Sequence, residues 1–392
     1  MRSALISLLS LVTVACSCAP PNLLLPEGTT CTKTANAGPG AASLTEALGK
    51  AERGTCVVAA AGTYQGDFTV PAGVLLGAET GVSVELKGTR AEVPAVTLGS
   101  GAALVGLSVV NAPGIGVSGG PGAKLRQVTI EGARTVGLVF WCEDDCRVAE
   151  PGSMVDVTLT ANAVGLLVHG ARVNATGGQV SGSKSLMLAS GYGVVASHGA
   201  ELSLSGTRVE DNEELGVLVD GALDTSTSLQ QVTVKNNKGR GIWAQGLTGS
   251  AGAPRLRLDS CLVEGNRLVG VGARGSSGVR ITGGRIGATV MGQTTGGTGV
   301  LVNVGDGIGL FENTGDVQVD AVTLENNARS QLVVDTGASG LAVLNSTVTP
   351  GTGLFGVIVQ RTAAAVQAPM IVTPMPGQEL PISAPSLSLP AR

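Results

Sequence analysis

One short pattern returns along most of the chain: an apolar residue or Thr, any residue, an aliphatic, then polar residues that often end in Asn. It reads Leu-Ser-Val-Val-Asn at 107–111, Val-Thr-Ile-Glu-Gly at 128–132, Val-Thr-Leu-Thr-Ala-Asn at 157–162, Thr-Arg-Val-Glu-Asp-Asn at 207–212 and Val-Thr-Leu-Glu-Asn-Asn at 322–327. The central aliphatics are Val109, Ile130, Leu159, Val180, Val209, Val234, Val263, Ile286, Leu324 and Val348. A second pattern, Gly followed by alternating aliphatics, trails the first at Gly116, Gly137, Gly165, Gly193, Gly216, Gly241, Gly270, Gly299 and Gly356; the ninth copy has Gln331-Leu332 instead. A third alternating run precedes the first pattern, as in Glu201–Leu204 and Arg255–Leu258. Three period-two segments per repeat of about 23 residues describe one coil of a parallel β-solenoid. No single coil can bury its own apolar face, so the coils must stack. Wider spacings between central aliphatics are loop insertions on a fixed framework.

Composition agrees with a narrow stack. Aromatics are 2% of the 392 residues, while Gly numbers 60. A large globular core normally fills volume with aromatic rings. This chain fills many similar small spaces with Val, Leu, Ala and Gly. The net charge of −4, without a basic patch, argues against nucleic acid as a partner. Asn162, Asn212, Asn237, Asn266 and Asn327 each stand three residues after a central aliphatic. Asn tolerates left-handed backbone at turns, and stacked amides can bond from coil to coil, so these residues are expected to form a structural ladder.

The start of the repeats adds a capping box, Ser43-Leu-Thr-Glu46, opening a short helix over 43–51. Thr-Cys-Val-Val-Ala-Ala-Ala-Gly-Thr-Tyr (55–64) and Gly66–Gly77 follow. Together with the repeats this resembles the pectin-lyase-like right-handed parallel β-helix proteins with PbH1-type repeats, over roughly 40–362. The resemblance implies an all-β, right-handed parallel β-helix of about ten to twelve coils behind a short N-terminal capping helix. It implies little about chemistry, because the superfamily spans lyases, hydrolases, epimerases, adhesins and proteins without known activity. The family's acidic clusters are not apparent here. Asp259 and Asp320 occupy equivalent positions two coils apart, and His169-Gly170 and His198-Gly199 lack flanking Asp pairs.

Residues 1–15 read as a secretory signal: one Arg, then an apolar run too short to span a bilayer. The run ends Thr13-Val14-Ala15-Cys16, which resembles the bacterial lipobox and makes Cys16 the lipidation site; Ser17 after it, by resemblance to Gram-negative lipoproteins, favours the outer membrane. The domain plan is a signal peptide over 1–15, a tether over 16–30, the β-helix over 31–362 with repeats from about 56, and a Pro-rich segment over 363–392. Export implies an oxidising compartment, pairing Cys31 with Cys56 and Cys142 with Cys146; Cys261 is left as a buried thiol.

The site candidates are local. Glu143, Asp144 and Asp145, between two cysteines, either hold a hard cation such as Ca²⁺ or form a solvated loop tip. Trp141 and Trp243 are the obvious sugar platforms. The insertion at 287–321 is the other place where function could be added. Two residues after each repeated Gly, alternation puts an outward row: Val139, Leu167, Val195, Leu218, Trp243, Leu301, Val333 and Ile358. Such an apolar stripe should not face water. Loops or the C-terminal segment are expected to cover it, or it serves a partner. The leading expectation is a non-catalytic binding or scaffold module for polysaccharide or a cell-surface partner. The alternatives are a divergent polysaccharide lyase or hydrolase, and a self-assembling surface protein.

Overall fold

The computed structural model describes residues 22–143, 149–186, 190–250, 252–295, 301–312, 314–335, 339–349 and 355–359. The chain winds as a parallel β-solenoid of about twelve coils, each contributing one strand to each of three sheets. The first sheet runs from Lys33–Ala37 and Thr55–Ala59 to Ser339–Leu344, the second from Gly62–Gln65 to Thr347–Thr349, and the third from Phe68–Val70 to Phe355–Val359.

The repeated motifs map one to one onto sheets. The central aliphatics of the second sheet stack in a single register: Val109 on Ile130, Ile130 on Leu159, Leu159 on Val180, and onward to Leu324 on Val348. All are buried in one core that runs the length of the rod. The Gly-aliphatic motif forms the third sheet, with Val117 on Leu138, Leu138 on Leu166 and Leu166 on Val194.

One coil departs from the sequence reading. Gly299-Val300, the repeat expected there, lies outside the described residues. Ile308 pairs with Val271 below and Leu332 above, so Gly307-Ile308 is the repeat. The residues before it form an antiparallel hairpin, Gly292–Thr295 against Leu301–Val304. Leu301 therefore leaves the outward row and lies 62% exposed; Gly309 holds its place, against Gly272 and Val333. Both stretches carry the Gly-aliphatic pattern, and only the stacking partners decide between them.

The Asn residues divide the turn's work with their neighbours. Positive φ falls on the preceding residue: Ala161 (56°), Asp211 (58°), Asn236 (55°) and Asn326 (56°). The ladder Asn residues themselves are fully buried and bond from coil to coil. Asn212 donates from its backbone N–H and its Nδ2 to Asn237 Oδ1, at 3.1 and 2.8 Å, and Asn237 repeats both bonds to Asn266 Oδ1, at 3.0 and 2.8 Å. The repeated Gly serves the same device. A Cβ on Gly216 would lie 2.8 Å from Asn237 Nδ2 and 2.5 Å from the carbonyl of Gly241 in the next coil.

At the N-terminal end a helix over Ala41–Lys50 closes the rod with Leu44 and Leu48. Its N-cap is Gly40 at φ 98°, with no side-chain cap. The expected capping box is thus displaced: Ser43 lies inside the first turn, because the left-handed Gly40 already turns the chain into the helix. Cys31 and Cys56 are disulfide-linked. Cys142 is also disulfide-bonded, and Cys146, its partner by sequence, falls outside the described residues. Cys261 is free and buried, and burial pushes its thiol up.

The stretch expected to be a tether is docked from Asn22 onward. Leu23, Leu25 and Cys31 cover Cys56, Leu75, Ala103 and Val105 on the outside of the first sheet. Arg126 Nη1 donates to the carbonyl of Leu25 (2.8 Å) and Lys124 Nζ to that of Glu27 (3.1 Å).

Candidate functional site

Beyond the N-terminal strap, the outer face of the first sheet changes character. Its inward residues, such as Val173, Leu202, Leu229 and Leu258, belong to the core. The outward ones, one row up the stack, read Asn174, Ser203, Ser228, Arg257, Arg280 and Gln318. A second outward row, two residues earlier in each strand, places Arg172 beside Glu201 and Glu201 beside Ser226.

These rows floor a groove of about 220 Å³. Its ends are built by loop length. Most coils pass from the third sheet to the first through a short turn, as at Gly170-Ala171. Two coils insert longer loops there, after Trp141 and after Gln245, and these bring Pro151 to one end of the groove and Pro254 and Arg255 to the other. Three strands, Arg172–Thr176, Glu201–Ser205 and Ser226–Gln230, lie between, at about 4.8 Å spacing.

Charge in the groove is organised in pairs. Arg172 Nε donates to Glu201 Oε2 at 2.9 Å, and Arg255 Nη2 meets Asp224 Oδ1 at 3.2 Å. Arg257 and Arg280 are stacked register neighbours projecting from the same face. The floor between is hydroxyl and amide. Such a surface can donate and accept many hydrogen bonds to a polyhydroxylated ligand, with guanidinium groups at one end for any anionic substituent.

Beside this groove the turns hold an aromatic column. The rings of Trp141 and His169 stack with centroids 3.8 Å apart, and those of His169 and His198 at 4.4 Å. Trp141 and Arg172 line a smaller cleft in common, so the column joins the groove's wall.

The other sequence candidates fall in different places. Trp243 is fully buried, with Arg240 4.6 Å above its ring and Phe311 stacked at 5.8 Å; this ring is not a sugar platform, because both of those groups and the apolar row occupy its surroundings. Glu143 is exposed, while Asp144 and Asp145 lie outside the described residues. No group of three metal-ligating side chains occurs among the described residues. Asp259 and Asp320 stand two coils apart with Thr282 between, and Asp320 accepts from Asn345 Nδ2. In the long insertion, Asp306 is wholly buried and bound by Arg329 at 2.7 and 2.5 Å, with burial pushing its carboxyl up to about 6 against the pull of the guanidinium.

The apolar row of the third sheet lies opposite the core, in a cluster of its own. Val139, Leu167, Val195, Leu218, Trp243, Val333 and Ile358 are 0–2% exposed. The groove residues were missed by motif reading, because their types vary from coil to coil. Parity would have found them: in Glu201-Leu-Ser-Leu and Arg255-Leu-Arg-Leu the polar residues share one face.

A family model described as a right handed beta helix region matches residues 113–286. No curated protein sequence matches the chain. Among solved structures, the Dettilon tailspike protein is similar with a TM-score of 0.58 and 14% identity, over 81% of this chain and 64% of the tailspike, so the chain spans less than two thirds of that protein's length. The catalytic unit of an α-1,3-glucanase from Streptomyces thermodiastaticus strain HF3-3 is similar with a TM-score of 0.51 and 14% identity, over 92% of this chain and 72% of the enzyme. The pectate lyase Pel9A gives a TM-score of 0.39 at 12% identity, over 87% of this chain and 80% of that one. At these identities the likeness is one of fold.

Proposed function

For this parallel β-helix we propose a non-catalytic module that binds polysaccharide in the groove outside its first sheet. The observation that carries this reading is the pairing of the lining carboxylate, Glu201, and of Asp224, which meets the lining Arg255 from outside the groove. Glu201 is tied to Arg172 and Asp224 to Arg255. A general acid or base must reach the proton it moves, and each of these is already engaged by a guanidinium. What the floor offers is an array of hydrogen-bonding groups on a rigid sheet, a layout suited to recognition.

The module is held at the outer membrane by lipid on Cys16, after removal of residues 1–15. A multiply acylated anchor would hold it firmly, where one chain binds only marginally. Labelled palmitate incorporated by the wild type and lost in Cys16→Ser is the expected result.

The experiment for the groove is a polysaccharide panel offered to the domain from residue 22, scored for both binding and product release, with and without Ca²⁺. Retention without products, lost in an Asn174→Ala, Arg257→Ala double variant, is expected. Release of new reducing ends or unsaturated sugars, abolished by Glu201→Gln, would replace this reading with a lyase or hydrolase.

A further inference from the structure

Charge is arranged differently on the second sheet and the first. On the second, outward cations stand against carboxylates of neighbouring coils. Lys235 meets Glu264 at 2.8 Å, and Arg285 lies between Glu264 and Glu325, at 3.4 and 2.7 Å. On the first, two arginines depart from that arrangement. Arg257 and Arg280 are register partners on the adjacent strands Leu256–Asp259 and Ser277–Thr282. Their backbones run about 4.8 Å apart, and like charges in directly opposed positions repel. Among the described residues neither guanidinium has an ion-pair or hydrogen-bond partner.

The other charged groups of this face are engaged elsewhere. Arg255 is held by Asp224 at 3.2 Å and Glu201 by Arg172. Asp259 accepts from Ser260 Oγ and Asp320 from Asn345 Nδ2, both at 3.0 Å. The nearest members of the same row, Ser228 below and Gln318 above, are neutral. The pair therefore keeps its full positive charge at one end of the groove. Arg257 lines that groove, and Arg280 continues the row one coil beyond it.

The number of oxygens selects the anion that fits. A guanidinium is a planar fork that takes two oxygens side by side. One fork uses both oxygens of a carboxylate. A sulfate or phosphate ester presents three terminal oxygens in a tetrahedral arrangement, so two forks one strand apart can each take a pair of them.

We infer that Arg257 and Arg280 together bind one tetrahedral oxyanion, a sulfate or phosphate ester carried by the saccharide in the groove. This rests on the groove being the saccharide site. The amide and hydroxyls of Asn174, Ser203 and Ser228 take the sugar hydroxyls, and the ester group falls at the arginine end. The site then selects a polymer by its substituent: a carboxylated chain satisfies one fork and a neutral chain none.

Four probes offered to the full chain at matched ionic strength test this: dextran sulfate, phosphomannan, polygalacturonate and unsubstituted dextran. One or both ester polymers should bind at least about tenfold more tightly than polygalacturonate, with dextran weakest, and the tighter of the two identifies the ester. Arg257→Gln and Arg280→Gln should each weaken that binding about tenfold. Arg53→Gln combined with Arg134→Gln removes two exposed arginines elsewhere, the same change in charge as the groove pair, and should leave it unchanged. An equal loss in that control overturns the inference, since the attraction is then diffuse. So does the absence of binding by either ester polymer. Polygalacturonate held as tightly through the same two arginines also overturns it, while leaving the groove as the saccharide site. Ester binding that needs both arginines but is indifferent to Asn174→Ala supports the oxyanion site and removes the groove reading instead.

Discussion

The outer faces of the first and third sheets are built on the same backbone and have opposite fates. Both follow period-two alternation, and both rows rise through the stack in strict register. On the third sheet the outward residues are Leu167, Val195 and Leu218, and they are buried. On the first they are Asn174, Ser203 and Ser228, and they floor a groove. The early coils of the first sheet make the point again. There the outward residues are Cys56, Leu75 and Ala103, and the chain lays a strap over them. In a solenoid the backbone decides which side chains point out, and the chemistry of that row decides whether it meets solvent.

The sharpest test of the contrast is the buried ion pair of Asp306 and Arg329 on the covered side. Removing one partner strands the other's charge in the interior. Arg329→Met, which leaves Asp306 alone, is expected to cost about 3–5 kcal/mol in chemical denaturation. The same carboxyl gives the covered face a pH signature. Its folded value, about 6, lies above the ordinary 3.8. The stability tied to its protonation is therefore fully present below the unfolded value and is lost as pH rises through about 6. The melting temperature of the wild type should fall more steeply than that of Asp306→Asn between about pH 4 and pH 7. Equal slopes would remove Asp306 from the account.

Next in size is a matched pair of truncations. Leu218→Ala on the third face should cost about 2–5 kcal/mol, as for a core leucine. Ser228→Ala on the first should stay within about 0.5 kcal/mol. Similar costs for both would erase the distinction between the faces. Between them lies the turn ladder. Asn237→Ala leaves the buried backbone N–H of Asn212 without its acceptor, at about 1–3 kcal/mol, read by thermal unfolding. The smallest stability effect belongs to Arg257→Ala, within about 0.5 kcal/mol, with its consequence expected in ligand binding instead.

Much of this architecture was legible because it repeats. Ten copies of one motif reveal the second sheet's register, and the Gly that follows marks the third. The Asn ladder was readable as a row, though the left-handed φ falls on Ala161 or Asn236 one residue earlier. Position three after the aliphatic is where an amide can reach the next coil, and position two is where the chain turns. The hairpin insertion hid Gly307-Ile308 behind Gly299-Val300, since two equivalent local patterns compete and only long-range stacking selects one. The groove was the least legible part. Its residues are Asn, Ser, Ser and Arg in succession, and its end walls depend on which coils carry long loops. Its ion pairs join different coils, as Arg172 and Glu201 do. No window of sequence contains such a pair.

The central claim is that the open first face is the ligand surface and the sealed third face is not. Hydroxyl-radical footprinting of the mature protein, with and without a polysaccharide identified from the panel, tests it most directly. Protection confined to 172–176, 201–205, 226–230 and 254–259 is the predicted result. Protection along the third-sheet strands, with the first-sheet rows unchanged, would contradict it.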